Sequence, residues 1–353
     1  MVDSPQVHPK VLPPFPRVWA GHVDLTPHKS AVLAGNPLGD PTERTVGMYR
    51  PPDGATEGRP MVVFLPGFAG IGASSAQPDG FLREDVVGTL DRLVRSGKIP
   101  PMSLLLPNCL TALGGSQYVN SPATGRYADY LLDEVIPWAA ERLRPSSVGI
   151  FGQSSGGFGA LHLAMERPGA FGAVGSSAGD MAFDLCFFPD IPKAVRALRE
   201  LGGPEELLRK IAAEPSRVGP PTAPVSTALL LLAMGACYSP VGTDGSFELP
   251  FDLETGELVP KVWERWKRFD PVERLSVPAD RAALSRLRSL HLTASRGDEW
   301  YLDLAARRFV RKAALLSVPV HHEEFDGGHF DRLPRVEALL RRLGEVLPAS
   351  RGR

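Results

Sequence analysis

The chain has 353 residues, 43% hydrophobic and 22% charged, the balance of a globular protein long enough for one large α/β domain with insertions, or for two domains. Its formal net charge is −1 and its basic residues are dispersed; pairs such as Arg307-Arg308 and Arg341-Arg342 fit solvated helix faces, so neither a nucleic-acid nor a membrane partner is expected. Three distant cysteines (Cys109, Cys186, Cys237) lack metal-ligand spacing, no apolar leader is visible, and the longest apolar run, Ala228–Cys237, falls short of the about 20 residues a bilayer needs, all of which points to a cytoplasmic protein.

Prolines at 5, 9, 13, 14 and 16 bar a helix from residues 1–16, which are expected to form an extended arm. Arg17–Thr26 and Thr45–Tyr49, separated by the turn-forming Asn36–Pro41, suggest an antiparallel pair at a sheet edge. An alternation of apolar strands and amphipathic helices follows: strand Met61–Leu65, helix Arg83–Arg95, strand Met102–Leu106, helix Tyr127–Leu143 with a kink or break at Pro137, strand Val148–Phe151, helix Gly157–Arg167 and strand Ala173-Val174. Continuously apolar strands between helices predict a mostly parallel sheet covered on both faces. The pattern stops near Asp180. Residues 181–279, with helical stretches Pro192–Leu201, Pro204–Ala213 and Ala228–Ala236 and a Gly/Pro/Asp-rich loop Ser239–Gly256, are expected to be a mostly helical cap over a core of residues 17–180 and 280–353. The Ala228–Ala236 run is expected to be core and not a substrate surface. Alternation resumes with strand Ser289–Thr293, helix Tyr301–Leu316, strand Val318–Phe325 and helix Pro334–Leu347.

Gly152-Gln153-Ser154-Ser155-Gly156 joins a short apolar strand to a helix, the form of a nucleophile elbow, where glycines leave room for a sharp turn beneath an exposed serine. A serine hydroxyl needs a base, and the base an orienting acid, which in the α/β-hydrolase arrangement follow in the order Ser, acid, His, at strand ends. Asp298 follows strand Ser289–Thr293 and His329 follows strand Val318–Phe325, so both order and placement fit Ser154. Asp270 and Glu299 are substitutes for the acid, and Asp298 could instead cap a helix beginning near Trp300. The oxyanion donors are expected to be the N–H of Ser155 and that of Phe68, in the glycine-rich Pro66–Gly70 loop. Alternate strand residues face opposite ways, so the adjacent His321 and His322 cannot share an ion and no metal site is expected. No phosphate or dinucleotide fingerprint appears, so no cofactor is expected.

Gly115-Ser116-Gln117-Tyr118-Val119-Asn120-Ser121, Gly152–Gly157 and Gly327-Gly328-His329 together resemble the putative-esterase branch of the α/β-hydrolases, which includes esterase D and the enterochelin-type esterases. The resemblance covers roughly residues 20–180 and 285–345 and implies the hydrolase fold, a Ser154-Asp298-His329 triad, an ester or thioester substrate, and Tyr118 and Asn120 near the acyl pocket. Pro66-Gly67 stands where the family often has His-Gly, and the insertion 181–279 is longer than in its compact members. Ester hydrolysis is the first expectation; acyl transfer through the same acyl-enzyme and a non-catalytic binding module are the alternatives. The expected partner is a small-molecule ester; a homo-oligomer is possible.

Overall fold

The computed structural model describes residues 19–72, 85–214, 220 and 223–348. The expected arm 1–16 lies outside them, as do residues 17–18 of the first expected strand and 83–84 of the first expected helix.

Eight strands form one sheet: β1 (His22–Lys29), β2 (Glu43–Arg50), β3 (Met61–Leu65), β4 (Ser103–Leu106), β5 (Val148–Gln153), β6 (Ala173–Ser177), β7 (Ser289–Ser295) and β8 (His321–Phe325), in the spatial order β1-β2-β4-β3-β5-β6-β7-β8. β2 pairs antiparallel with both β1 and β4; every other pairing is parallel. β3 and β4 are buried along their whole length because helices cover both faces, which is why they read as unbroken apolar runs. Alternation sorts their side chains into two cores: Met61, Val63 and Leu65 join one, Val62 and Phe64 the other. The second core is closed by helices Val86–Arg95 and Leu333–Val346; the latter buries Val336, Leu339, Leu340 and Leu343, the i, i+3, i+4, i+7 stripe of an amphipathic helix, at about 2 kcal/mol per side chain. Charge marks the edge strand β8, whose His321-His322-Glu323-Glu324 stays partly exposed.

Where a kink or break was expected at Pro137, the chain has a π-helical turn just before the proline. Tyr127–Asp129, a π-turn at Tyr130–Val135 and Ile136–Leu143 run on as one helical segment, with Ile136 N–H bonded to Leu131 O, so the wide turn immediately precedes Pro137, which has no amide hydrogen to donate.

Between β6 and β7 the chain is mostly helical, in Phe183–Cys186, Ile191–Leu201, Pro204–Ala213, Pro224–Tyr238, Pro260–Lys267, Pro271–Arg274 and Pro278–Ser285. Five of these begin on proline, which suits the first helical position, where an N–H would be idle. The segment is fused to the sheet layer through aromatic packing: Phe158 of helix Ser155–Glu166 lies 6.0 Å from Phe183 and 5.8 Å from Tyr238, which itself stands 5.5 Å from Trp266. Among the described residues no helix is long and apolar enough to cross a membrane.

Candidate active site

Ser154 sits between β5 and helix Ser155–Glu166 with φ 56° and ψ −126°, a conformation only a tightly determined turn will hold. Its N–H donates to Ser177 O on β6 at 2.9 Å, and its carbonyl accepts from Phe158 N at 3.0 Å. The glycines are there for space. A Cβ on Gly156 would stand 1.9 Å from Leu65 O, and one on Gly152 would stand 2.1 Å from Gly156 O. The serine is thus held off the end of β5 on backbone that only glycines can surround.

His329 follows β8 in the loop expected for it. Its Nδ1 lies 2.8 Å from Asp298 Oδ2, and both side chains are buried. The three acid candidates divide the work. Asp298 holds the imidazole with one oxygen and accepts from Trp300 N at 3.0 Å with the other, so it orients the ring and caps the turn at once. Glu299 accepts the backbone N–H of His329 at 2.7 Å. Asp270 is elsewhere: it caps helix Pro271–Arg274 through Val272 N and accepts from Ala182 and Phe183, and burial raises its pKa to about 6. The buried Arg335 guanidinium donates to His329 O, and the Trp300 and Phe330 rings stand edge-on to the imidazole at 4.8 and 5.3 Å.

The Pro66–Gly70 loop lies beside Ser154; a Cβ on Gly67 would be 3.2 Å from Ser154 Cβ. Tyr118 Oη donates to Pro66 O at 2.6 Å, and Ala69 N donates to Gly114 O at 2.8 Å with Ala69 at φ 60°. Among the described residues the Phe68 amide has no hydrogen-bond partner, and Ser155, as the first helical residue, has none within its helix. Gly114 and Gly115 leave room for the Phe68 ring, which a Cβ on Gly114 would meet at 2.7 Å.

Ser154, Ser155, His329 and the Pro66–Gly70 loop line one cavity of about 340 Å³. Its other walls are largely apolar: Phe64, Trp300 and Phe330 from the sheet and its loops, Val86 and Leu302 from the starts of two helices, and Cys186, Phe187, Leu229 and Leu230 from the segment between β6 and β7. The helix containing the Ala228–Ala236 run is therefore core, as expected, from Leu231 on, but Leu229 and Leu230 at its start face the cavity. Tyr118 and Asn120, expected near the acyl pocket, are not among the lining residues. Tyr118 packs its ring against Gly159 behind the loop it tethers, and Asn120 is exposed, its Oδ1 accepting from Asp129 N at 3.1 Å.

Two residues here escape sequence reasoning. Gln117 Nε2 donates to Ser155 Oγ at 2.8 Å, and Ser155 Oγ donates to Asp180 Oδ2 at 3.0 Å, a buried relay that fixes the side chain of the residue after Ser154. Asp180 follows β6 and also lines the cavity; burial raises its pKa from 3.8 to about 6, against the lowering pull of the Ser155 hydroxyl. Between pH about 4 and 6 the folded chain keeps a proton that the unfolded chain has released, so stability falls as pH rises through that window, by up to about 3 kcal/mol. Asp270 adds to the slope with the same sign. Urea unfolding across that pH range is expected to show a shallower loss in Asp180→Asn than in wild type; parallel curves would contradict a buried, proton-holding Asp180.

The sheet order, the elbow at the end of β5 and the acid and histidine after β7 and β8 define an α/β-hydrolase fold. The family model described as "Putative esterase" matches residues 41–330, and the chain belongs to that family. It is a carboxylesterase-type hydrolase. Among solved structures it is similar to a ferulic acid esterase (16% identity, 94% of this chain and 100% of the other, TM-score 0.57) and to an S-formylglutathione hydrolase from Agrobacterium tumefaciens (14% identity, 94% and 98%, TM-score 0.56). A third is FphF of Staphylococcus aureus, a fluorophosphonate-binding serine hydrolase (12% identity, 93% and 99%, TM-score 0.55). No curated protein matches the sequence significantly.

Proposed function

We propose that the protein cleaves small carboxylic esters through an acyl-enzyme on Ser154. The observation that carries this is the buried Asp298–His329 hydrogen bond opening onto the same cavity as a serine held in the elbow conformation. His329 takes the Ser154 proton as the hydroxyl oxygen attacks the ester carbonyl, and gives it to the leaving alcohol; it then takes a proton from the water that releases the acid. Asp298 holds the Nδ1–H so that Nε2 is the basic nitrogen, and stabilises the imidazolium. The amides of Phe68 and Ser155 receive the oxyanion, with Tyr118 and Gly114 keeping the loop in place so that no reorganisation is needed during the reaction.

The segment 181–279 acts as a cap over the core 17–180 and 280–353. Its Phe187, Leu229 and Leu230 supply an apolar wall, and a cavity of about 340 Å³ is at the small end of ligand sites, which favours a short acyl group. The three free, buried thiols suit a reducing, cytoplasmic setting. Turnover of p-nitrophenyl esters of graded length should be highest for short acyl chains and fall steeply beyond the medium ones; a rate that keeps rising to long chains would refute this reading of the cavity.

A further inference from the structure

At the far edge of the sheet, β7 and β8 bring His291, His321 and Glu323 together. The parallel register pairs His321 with His291, and Glu323, two residues on, shares His321's face. One ligand atom from each of the three lies within 4.8 Å of the others. Glu323 Oε1 stands 2.9 Å from His321 Nε2 and 3.2 Å from His291 Nε2, and the two imidazole rings are 4.4 Å apart. Tetrahedral zinc with bonds of about 2.1 Å separates its ligand atoms by roughly 3.4 Å, so small side-chain shifts suffice.

A second observation comes from His291. It is 2% exposed, and neither ring nitrogen has a hydrogen-bond partner among the described residues, although Glu323 is so near. A buried imidazole with both nitrogens idle is costly, and a close carboxylate that is not aligned as a hydrogen bond leaves its lone pairs available. The neighbouring cation, Arg342, is engaged by Ser289 and Glu345. His321 and Glu323 are partly exposed, so an ion has a route in.

We infer that His291, His321 and Glu323 form a binding site for a zinc-like divalent cation, two imidazoles and one carboxylate with a fourth position left to water. The two-nitrogen, one-oxygen set suits zinc and its borderline neighbours and not magnesium or calcium. The site lies toward the start of β8, at the opposite end of the strand from the loop that carries His329. Bound metal there ties the edge strand β8 to β7.

The test is zinc titration of chelator-stripped full-length protein in competition with a chromophoric chelator, alongside thermal melts with and without zinc. Wild type should take up one equivalent and gain in Tm. His321→Ala and Glu323→Gln, both at partly exposed positions, should weaken binding at least roughly tenfold and lose the gain. His322→Ala, on the opposite face, should match wild type. Absence of saturable binding in wild type, or an equal loss in His322→Ala, would overturn the site.

Discussion

Replacing Ser154 by alanine is expected to lower kcat for ester hydrolysis roughly 10⁶-fold while leaving the fold intact. The fold should survive because the serine's structural work is done by its backbone, through the Ser177 O and Phe158 N bonds, which alanine keeps. The side-chain hydroxyl has no hydrogen-bond partner among the described residues, so its removal strands nothing. Alanine also tolerates a φ of 56° about as poorly as serine does, as Ala69 and Ala178 show nearby, so the strain is little changed. Steady-state turnover with an unchanged melting curve checks this. A variant that hydrolyses esters at the wild-type rate would place the nucleophile elsewhere.

Asp298→Asn should reduce kcat by about 10⁴, an effect that follows from counting acceptors. The carboxylate accepts twice, from Trp300 N and from the imidazole Nδ1–H. An asparagine has one acceptor oxygen. If that oxygen keeps the Trp300 amide, the side-chain NH₂ must face Nδ1 and donate to it, which moves the ring proton to Nε2. The imidazole then presents a donor, not a base, to Ser154. Glu299→Gln is the control: its oxygen still accepts the His329 backbone N–H, so its effect should be within about tenfold. If Glu299→Gln were as damaging as Asp298→Asn, the orienting acid would have been misassigned.

Much of this site is legible in the sequence, because its members are fixed by features that a chain writes locally. The elbow is declared by two glycines, Gly152 and Gly156, whose absent side chains leave room for Leu65 O and the turn. Asp298 and His329 are declared by their place after strands, the inner strands by unbroken apolar runs and the flanking helices by period-3.6 burial. Order and strand-end placement favour Asp298 as the acid but leave Glu299 and Asp270 as substitutes; hydrogen bonds show that one holds the imidazole, one its backbone and one a helix start.

What the sequence hides is what depends on register and packing. The helices Pro260–Lys267, Pro271–Arg274 and Pro278–Ser285 are short and charge-rich, and their clearest signal is the proline that opens each. Tyr118 belongs to the family-like segment Gly115–Ser121, yet it serves from behind the Pro66–Gly70 loop and not in the cavity, as the backbone turn at Gln117 and Tyr118 (φ 49° and 57°) directs. Asp180 looks like a residue past a strand end until burial and the Ser155 hydroxyl give it a role. His321 and His322 do face apart, as the alternation requires, but the partner that matters for His321 lies across the sheet in His291.

Labelling with a fluorophosphonate, followed by intact-mass measurement and peptide mapping, reads out whether Ser154 is the activated nucleophile. Native protein should gain one adduct per chain, mapped to Ser154, and the Ser154→Ala variant none. Folded wild type that stays unlabelled, or a Ser154→Ala variant that still takes up one equivalent, would show that Ser154 is not the activated nucleophile.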